Sequence, residues 1–327
     1  MRTKLFPALG RDVSVIGLGT WQLGADWGHV DDDTAEATLD AAYESGITFF
    51  DTADVYGDGV SERRIAQWRA AHPSADVTVV TKTGRRAYPH VATSFTPDNI
   101  RRWVDRSRSN LKVDRLDLVQ LHCPPTEIYA DDRVFDVMRM LVADGAVTAW
   151  GVSVETVAEG HAAIAQHGCA SVQVIVNALR LKPFETLLPA AHEAGVAIIA
   201  RVPLASGLLS GRMTADTTFG ADDHRMYNRN GEAFDVGETF SGVPFELGID
   251  AAHRIAQAAP TNVTPAQAAL AWLAAQPAVT TVIPGARNPE QARANAAAGD
   301  IELPATYDAT VHEVYEQLVR PHVHDRW

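Results

Sequence analysis

The sequence predicts an α/β fold: a closed (β/α)₈ barrel of the TIM type, with an N-terminal β-hairpin and an extra C-terminal helix. Eight short β-branched runs are each followed by a helical segment, an alternation that implies parallel strands joined by right-handed crossovers. The competing fold is an open dinucleotide-binding sheet, but the stretch 17–22, GLGTWQ, lacks the last glycine of its fingerprint. Because no linker or composition shift interrupts the chain, we expect residues 1–327 to form one domain.

The elements follow in chain order. A hairpin is predicted over residues 3–15, with its turn at 9–12. The predicted strands are 13–18, 47–50, 77–81, 116–121, 147–152, 172–176, 196–200 and 279–283. Asp33 is the predicted cap of the first helix, and further helices are predicted at 61–71, 97–111, 131–143, 156–166, 183–193, 247–258, 265–275, 289–297 and 304–319. Residues 217–246 form a polar, glycine-containing insertion, which we expect to become ordered on ligand binding.

Composition excludes several classes of function. The formal net charge is −13 without a long basic run, which argues against nucleic acid or an anionic membrane as the main partner. No apolar run reaches the ~18 residues of a membrane span, and the first residues lack the apolar core of a secretion signal. Cys123 and Cys169 have no metal-binding or redox spacing, so we expect free thiols, a cytoplasmic protein and no metal site.

Polar residues follow three neighbouring predicted strands. Asp51 and Tyr56 follow the second strand, Lys82 ends the third and His122 follows the fourth. Each of these residues alone has a simpler structural explanation: a place in a turn, a packing contact or a solvated position. Because barrel active sites lie at the C-terminal ends of the strands, all four are predicted to meet at one site.

These four side chains suit reduction of a carbonyl group. A phenol with a pKa near 10 is a poor acid at neutrality, and an adjacent ammonium group is expected to lower that pKa. Asp51 would keep Lys82 charged, while a neutral His122 would donate a hydrogen bond to a substrate carbonyl oxygen. Nothing in the set supplies a hydride, and a Schiff-base barrel lyase using Lys82 stays open as an alternative.

Several motifs resemble those of the aldo-keto reductases, in the family order. They are 17–21 GLGTW, 50–57 FDTADVYG, 61–62 SE, 81–82 TK, 121–122 LH, 151–153 GVS and 283–287 IPGAR. The resemblance runs from Val15 to about Ala298 and implies the barrel fold predicted above. It also implies that Tyr56 is the general acid, that Asp51 and Lys82 tune it, and that His122 orients the substrate.

The resemblance further implies a nicotinamide cofactor across the barrel mouth, with NADPH favoured over NADH. Ser153 and Gln173 match positions that hold the nicotinamide carboxamide, and Arg287 is the candidate for the 2′-phosphate. The full set of predicted cofactor residues is Gly19, Thr20, Trp21, Asp51, Ser153, Gln173, Arg201, Pro203, Leu204, Ser206, Gly207, Leu209, Arg212, Gly285, Arg287, Gln291 and Asn295. Glycines in the 203–212 loop would permit close approach of the backbone to phosphate.

Two residues depart from the family pattern. Val154 stands where the family usually has Asn, and Arg201 stands where an aromatic ring often stacks on the nicotinamide. A guanidinium plane also stacks on rings, so we expect Arg201 to replace that aromatic. Trp21, Tyr56 and His122 are the predicted substrate contacts, and Trp27 and Tyr88 are further candidates for the pocket wall.

The predicted function is therefore NADPH-dependent reduction of a small aldehyde or ketone by a monomer or small homo-oligomer. A second class of function also stays open. Some family members resemble channel β-subunits, which bind the cofactor but turn over slowly. The sequence leaves the physiological substrate open.

Overall fold

The predicted barrel is confirmed. The structure, a computed structural model, describes residues 1–24, 30–221 and 223–327. Eight parallel strands follow one another around the sheet in chain order. They are β3 (Leu18–Gly19), β4 (Phe49–Asp51), β5 (Thr78–Thr83), β6 (Leu116–His122), β7 (Val147–Val154), β8 (Cys169–Ile175), β9 (Ala197–Arg201) and β10 (Thr281–Val282).

Backbone hydrogen bonds between the chain around β3 and the chain around β10 close the barrel. Gly17 N donates to Val282 O at 2.8 Å, and Gly19 N donates to Pro284 O at 2.9 Å. Since parallel strands share one direction, closure brings all their carboxyl ends to one rim. The last residues of β4, β6 and β9 at that rim are Asp51, His122 and Arg201.

Helices surround this sheet. In chain order they are α1 (Asp32–Glu44), α2 (Val60–Ala71), α3 (Pro97–Leu111), α4 (Asp132–Ala143), α5 (Val157–Ile164), α6 (Lys182–Glu185), α7 (Leu187–Glu193), α8 (His224–Tyr227), α9 (Phe245–Gln257), α10 (Pro265–Ala275), α11 (Pro289–Ala297), α12 (Ala305–Val314) and α13 (Arg320–Val323). Among the described residues, no helix is long and apolar enough to cross a bilayer.

An N-terminal hairpin closes the end of the barrel opposite the rim. It consists of β1 (Thr3–Phe6) and β2 (Arg11–Ser14), which pair antiparallel. Phe6 and Val13 are fully buried against residues of the barrel interior, including Phe49. This cluster fills the bottom of the barrel, which leaves the opposite rim as the open end.

Three element predictions need correction. Asp31, not Asp33, caps α1, because its carboxylate accepts the Thr34 N–H at 2.7 Å. Val30 and Ala35, on either side of the cap, are both buried in the main hydrophobic core, which is the apolar pattern that accompanies a helix cap at Asp31. The predicted strand 13–18 is divided between the hairpin and β3, and the predicted helix 183–193 is interrupted at Thr186.

The insertion at 217–246 folds over the rim in short turns. It contains α8 and the 3₁₀ turns Val236–Glu238 and Phe240–Gly242. Its turns are packed against the barrel, with Phe240 buried. That the insertion becomes ordered on ligand binding stays a prediction. That residues 1–327 form one domain stays a prediction.

Candidate active site

The structure brings Asp51, Tyr56, Lys82 and His122 together at the rim. Asp51 ends β4, Lys82 is the penultimate residue of β5, and His122 ends β6. The Tyr56 ring lies in the turn after β4 and meets the His122 ring edge-on, with 6.1 Å between centroids. Asp51 and Lys82 are only 2% and 1% exposed. A buried ion pair at the end of the barrel thus supports a phenol that faces an imidazole.

The Lys82 ammonium group uses all three of its protons within this site. Lys82 Nζ donates to Asp51 Oδ2 at 2.6 Å, to the Thr52 carbonyl oxygen at 2.9 Å and to the Tyr56 hydroxyl at 3.2 Å. An ammonium has three donors and no acceptor, so the Tyr56 oxygen must accept in this contact. The hydroxyl proton of Tyr56 is therefore directed away from Lys82.

Close backbone packing fixes the position of the phenol. The Trp21 ring stacks on the Tyr56 ring, with 6.0 Å between centroids and 19° between planes. Gly57 has φ +57°, and a Cβ atom there would collide with the carbonyl oxygen of Gly24. Glycine at both positions lets the two loops touch, which holds Trp21 against Tyr56.

Burial and charge set the protonation states. Burial by itself lowers the pKa of Lys82, but the Asp51 carboxylate and the Tyr56 oxygen raise it above its usual value. Burial raises the pKa of Asp51, yet both carboxylate oxygens accept hydrogen bonds, so the ion pair persists. Burial also raises the pKa of Tyr56; Lys82 lowers it as predicted, but by less. Tyr56 therefore stays protonated at neutral pH.

His122 is neutral and has one ring nitrogen facing the site. Burial, reinforced by the Arg85 and Lys82 charges, holds the pKa of His122 well below 6.5. Its Nε2 lies 3.4 Å from Arg85 Nη1, whereas its Nδ1 is buried without a hydrogen-bond partner among the residues that the structure describes. A guanidinium can only donate, so Nε2 is the acceptor in this contact. The predicted role of His122, donation to a carbonyl oxygen, requires the other tautomer, with the proton on Nε2.

A chain of buried amides extends from Asp51 into the barrel. Gln173 Nε2 donates to Asp51 Oδ1 at 2.8 Å and to Gln120 Oε1 at 2.9 Å, and Gln120 Nε2 donates to Ser171 Oγ at 2.9 Å. Both amide protons of Gln173 are thus used within the protein. Its Oε1 accepts no hydrogen bond from the described residues, so the acceptor capacity of this atom is unused within the described part of the protein.

Arg201 is anchored by two glutamates above the barrel. Its Nη2 donates to Glu155 Oε2 at 2.7 Å, and its Nη1 lies 3.4 Å from Glu238 Oε1. Nη2 also donates to the carbonyl oxygen of Val154 at 3.2 Å, so the two departures from the family pattern contact each other. Ligand atoms of Cys123, Glu155 and Glu238 lie within 4.8 Å of one another, but Arg201 already neutralises the carboxylates. This group therefore suits a guanidinium rather than a metal ion.

The loop after β9 is shaped for close approach of backbone. Ser206 and Gly207 have φ +55° and +99°. Ser206 Oγ donates to the Glu238 carbonyl oxygen at 2.9 Å and accepts from Phe240 N at 3.2 Å, so the insertion is tied directly to this loop. Of the remaining predicted contacts, Pro203 and Leu209 are buried, Leu204 is partly buried and Arg212 is exposed.

A cleft of about 240 Å³ lies beyond β10 at the start of α11. The Arg287 side chain lines it, with Asn288 and Gln291. The Gln291 side chain accepts the Arg287 N–H at 2.9 Å, and Asn295 Nδ2 donates to Gly285 O at 3.1 Å, so these amides fix the turn. The opposite wall consists of Val30, Asp31 and Thr34.

The remaining predicted residues have structural contacts. Thr20 is buried and donates to the Asp51 carbonyl oxygen at 2.9 Å, and Ser153 Oγ lies 3.3 Å from Cys123 Sγ. Tyr88 is 99% exposed, and it lines neither of the two clefts found among the described residues; Trp27 lies outside the described residues.

The sequence analysis missed three residues at the site: Arg85, Gln120 and Glu238. Arg85 had a usable signal, since it follows Lys82 by three residues at the same strand end. Gln120 had a weaker one, as an amide within an apolar strand. Glu238 had none, because the insertion carries no periodic pattern.

Comparison with known proteins agrees with this geometry. Residues 15–316 match the Aldo/keto reductase family. An uncharacterized oxidoreductase of Mycobacterium tuberculosis is 33% identical, over 90% of this chain and 86% of its own. Among solved structures, the glycerol dehydrogenase of Gluconobacter oxydans is 27% identical, with a TM-score of 0.80 over 98% of this chain and 96% of its own. An aldo/keto reductase of Klebsiella pneumoniae in complex with NADP and acetate is 25% identical, with a TM-score of 0.70 over 96% of each chain.

The chain belongs to the aldo/keto reductase family. Its relatives include oxidoreductases, and the predicted family membership is confirmed. The individual roles assigned to the site residues stay predictions.

Proposed function

We propose that this protein is an NADPH-dependent oxidoreductase that reduces aldehydes or ketones to alcohols, with Tyr56 as the general acid. One observation carries the proposal: Lys82 commits its three protons to Asp51, Thr52 and Tyr56. Tyr56 can therefore only accept from Lys82, and its own proton is directed to the substrate. The cation also stabilises the phenolate that forms when the proton leaves.

In the proposed mechanism, the substrate carbonyl oxygen lies between the Tyr56 hydroxyl and His122 Nε2. His122 donates a hydrogen bond that polarises the C=O bond, and Tyr56 transfers its proton to the oxygen as negative charge develops there. When bound, the reduced cofactor supplies the hydride that the carbonyl carbon accepts. The C=O double bond becomes C–H and O–H, so one hydride and one proton account for the alcohol. The similarity to a glycerol dehydrogenase supports alcohol oxidation as the reverse reaction.

The donor set fits a phosphorylated dinucleotide. Gln173 Oε1 is available to accept a carboxamide N–H, and the guanidinium of Arg201 has a buried Nε without a partner among the described residues. Arg287 lines a cleft at the far end, where an exposed guanidinium would bind a 2′-phosphate. The Klebsiella relative in complex with NADP supports the same cofactor, so we propose NADPH rather than NADH.

The geometry argues against the Schiff-base alternative. A Schiff-base lysine must lose its proton to act as a nucleophile, whereas Asp51 and the Tyr56 oxygen raise the pKa of Lys82 and all three of its protons are engaged. The other alternative, a cofactor-binding regulatory protein, differs only in turnover, so kinetics must decide between them.

The test compares wild-type protein with Tyr56→Phe. Purified protein is mixed with NADPH and a panel of aldehydes and ketones, and loss of NADPH absorbance is followed. We expect turnover by the wild type and a loss of at least about 100-fold in Tyr56→Phe, the usual contribution of a general acid. Cofactor fluorescence should give similar dissociation constants for both. Substantial reduction by Tyr56→Phe would contradict the mechanism, and cofactor binding without wild-type turnover would favour the regulatory protein.

A further inference from the structure

A charged pair lies beside the catalytic imidazole. Arg85 Nη1 donates to Glu238 Oε1 at 2.9 Å and is 3.4 Å from His122 Nε2. Arg85 follows β5, and Glu238 ends a 3₁₀ turn of the insertion. Any substrate whose carbonyl oxygen reaches His122 therefore places its neighbouring atoms next to this pair.

The pair has spare hydrogen-bonding capacity. Arg85 Nη2 and Nε donate to none of the described residues, and the side chain is 24% exposed. Both contacts of the Glu238 carboxylate use Oε1, and Oε2 accepts nothing from the described part of the chain. Although burial by itself raises the pKa of Glu238, the Arg85 and Arg201 charges hold it below its usual value, so the group is ionised.

Aromatic rings keep the pair in place. Arg85 lies over the Phe234 ring at 5.6 Å, and Phe234 meets the Trp21 ring edge-on with 6.2 Å between centroids. Trp21 in turn stacks on Tyr56. The donor and the acceptor are thus held at the wall that surrounds the phenol, not on a free surface.

A donor and an acceptor side by side match one functional group best. A hydroxyl both donates and accepts, so it can accept from Arg85 and donate to Glu238. An alkyl group would remove water from two ions without replacing its hydrogen bonds. A carboxylate could accept from Arg85, but it has no proton for Glu238 Oε2, and the Glu238 charge would repel it.

We propose that Arg85 and Glu238 form a subsite for a hydroxyl group on the carbon adjacent to the reacting carbonyl. The substrates would then be α-hydroxy aldehydes and ketones, with vicinal diols as the alcohols formed. This inference rests on the proposed carbonyl reduction and names the substrate class of that same site.

The test uses three small ketones: hydroxyacetone, butan-2-one and pyruvate. The first two differ only by a hydroxyl in place of a methyl group. In pyruvate a carboxylate replaces the whole CH2OH group, so that its oxygens stand where the hydroxyl oxygen would. Each kcat/KM is divided by the rate of reduction by borohydride, which removes differences in intrinsic reactivity. For wild type we expect the corrected value for hydroxyacetone to exceed that for butan-2-one by about 10- to 100-fold, as for a hydrogen bond to a charged group, with pyruvate lowest.

Variants connect this preference to the pair. Arg85→Met should reduce the hydroxyacetone preference to within about threefold of unity, since the charged hydrogen bond is lost. Glu238→Gln should raise pyruvate relative to hydroxyacetone, because the repelling charge is gone. Arg86→Met is the matched control: Arg86 is the next residue but pairs with Asp58, and its variant should keep the wild-type ratio.

Two results would overturn the subsite. One is a corrected wild-type ratio near unity, which does not depend on any variant folding. The other is an unchanged ratio in an Arg85→Met protein that retains wild-type melting temperature and NADPH affinity. If wild type reduces none of the ketones and no aldehyde of the wider panel, the proposed function fails and the subsite falls with it. Reduction of butan-2-one as efficiently as hydroxyacetone overturns the subsite alone.

Discussion

The buried carboxylate of Asp54, three residues after Asp51, makes the free energy of unfolding depend on pH. Its side chain is fully buried, and neither carboxylate oxygen has a hydrogen-bond partner among the described residues. Burial, with repulsion from the nearby Glu62 carboxylate, raises the pKa of Asp54 from 3.8 to about 7. The folded protein therefore binds this proton more tightly than the unfolded chain does.

The sign of the pH dependence follows from that shift. Protonation of Asp54 contributes stability that is fully present below the unfolded pKa of 3.8 and is lost as pH rises through about 7. Asp54→Asn imitates the protonated state at every pH, so the variant does not lose this stability as the pH rises. A shift of about three units at about 1.4 kcal/mol per unit limits the gain to about 4 kcal/mol at alkaline pH. At about pH 5 the gain should be smaller by about 2 to 3 kcal/mol.

The assay is urea unfolding followed by circular dichroism for wild type and Asp54→Asn, at about pH 5 and about pH 8. The difference in the free energy of unfolding between the two proteins should grow from the lower to the higher pH. Asp12→Asn, at an exposed position on β2, is the control and should show no such growth. An Asp54→Asn difference that is constant with pH, or larger at about pH 5, would refute the reasoning.

Three further predictions concern the active site. Arg201→Ala should raise the dissociation constant for NADPH about tenfold, because the cation that stacks on the nicotinamide is lost. Fluorescence titration measures this constant, and an unchanged value would contradict stacking by Arg201. Arg287→Ala should weaken NADPH about tenfold or more while leaving NADH nearly unaffected; equal weakening of both would contradict a 2′-phosphate contact. The pKa of Tyr56 is raised and that of His122 lowered, so kcat for reduction should stay level between about pH 6.5 and 9 while oxidation rises with pH. A steep fall in reduction within that range would mean that another group is the acid.

Strand ends and helix caps made much of the architecture predictable. The residues Thr96-Pro97 placed the start of α3 correctly, because a hydroxyl cap before proline specifies a helix start locally. Likewise, Asp51, Lys82 and His122 could be grouped before the fold was known, since parallel strands bring their carboxyl ends to one rim.

Other features depend on contacts distant in sequence. The Gln173 amide was predicted to hold the cofactor, but only the folded barrel shows that both of its protons go to Asp51 and Gln120. The predicted fall in the Tyr56 pKa neglected burial, which a sequence does not reveal. Glu238 reaches Arg85 across 153 positions of chain, from an insertion without periodicity. Such a contact leaves no local pattern.

The central claim is that the protein transfers a hydride from NADPH to a carbonyl carbon. The most direct measurement uses NADPH deuterated at both C4 positions of the nicotinamide, an aldehyde substrate and mass spectrometry of the product. The account predicts an alcohol with one deuterium bound to the carbinol carbon, formed by wild type and not by Tyr56→Phe. An alcohol without deuterium, or equal labelled product from Tyr56→Phe, would contradict it.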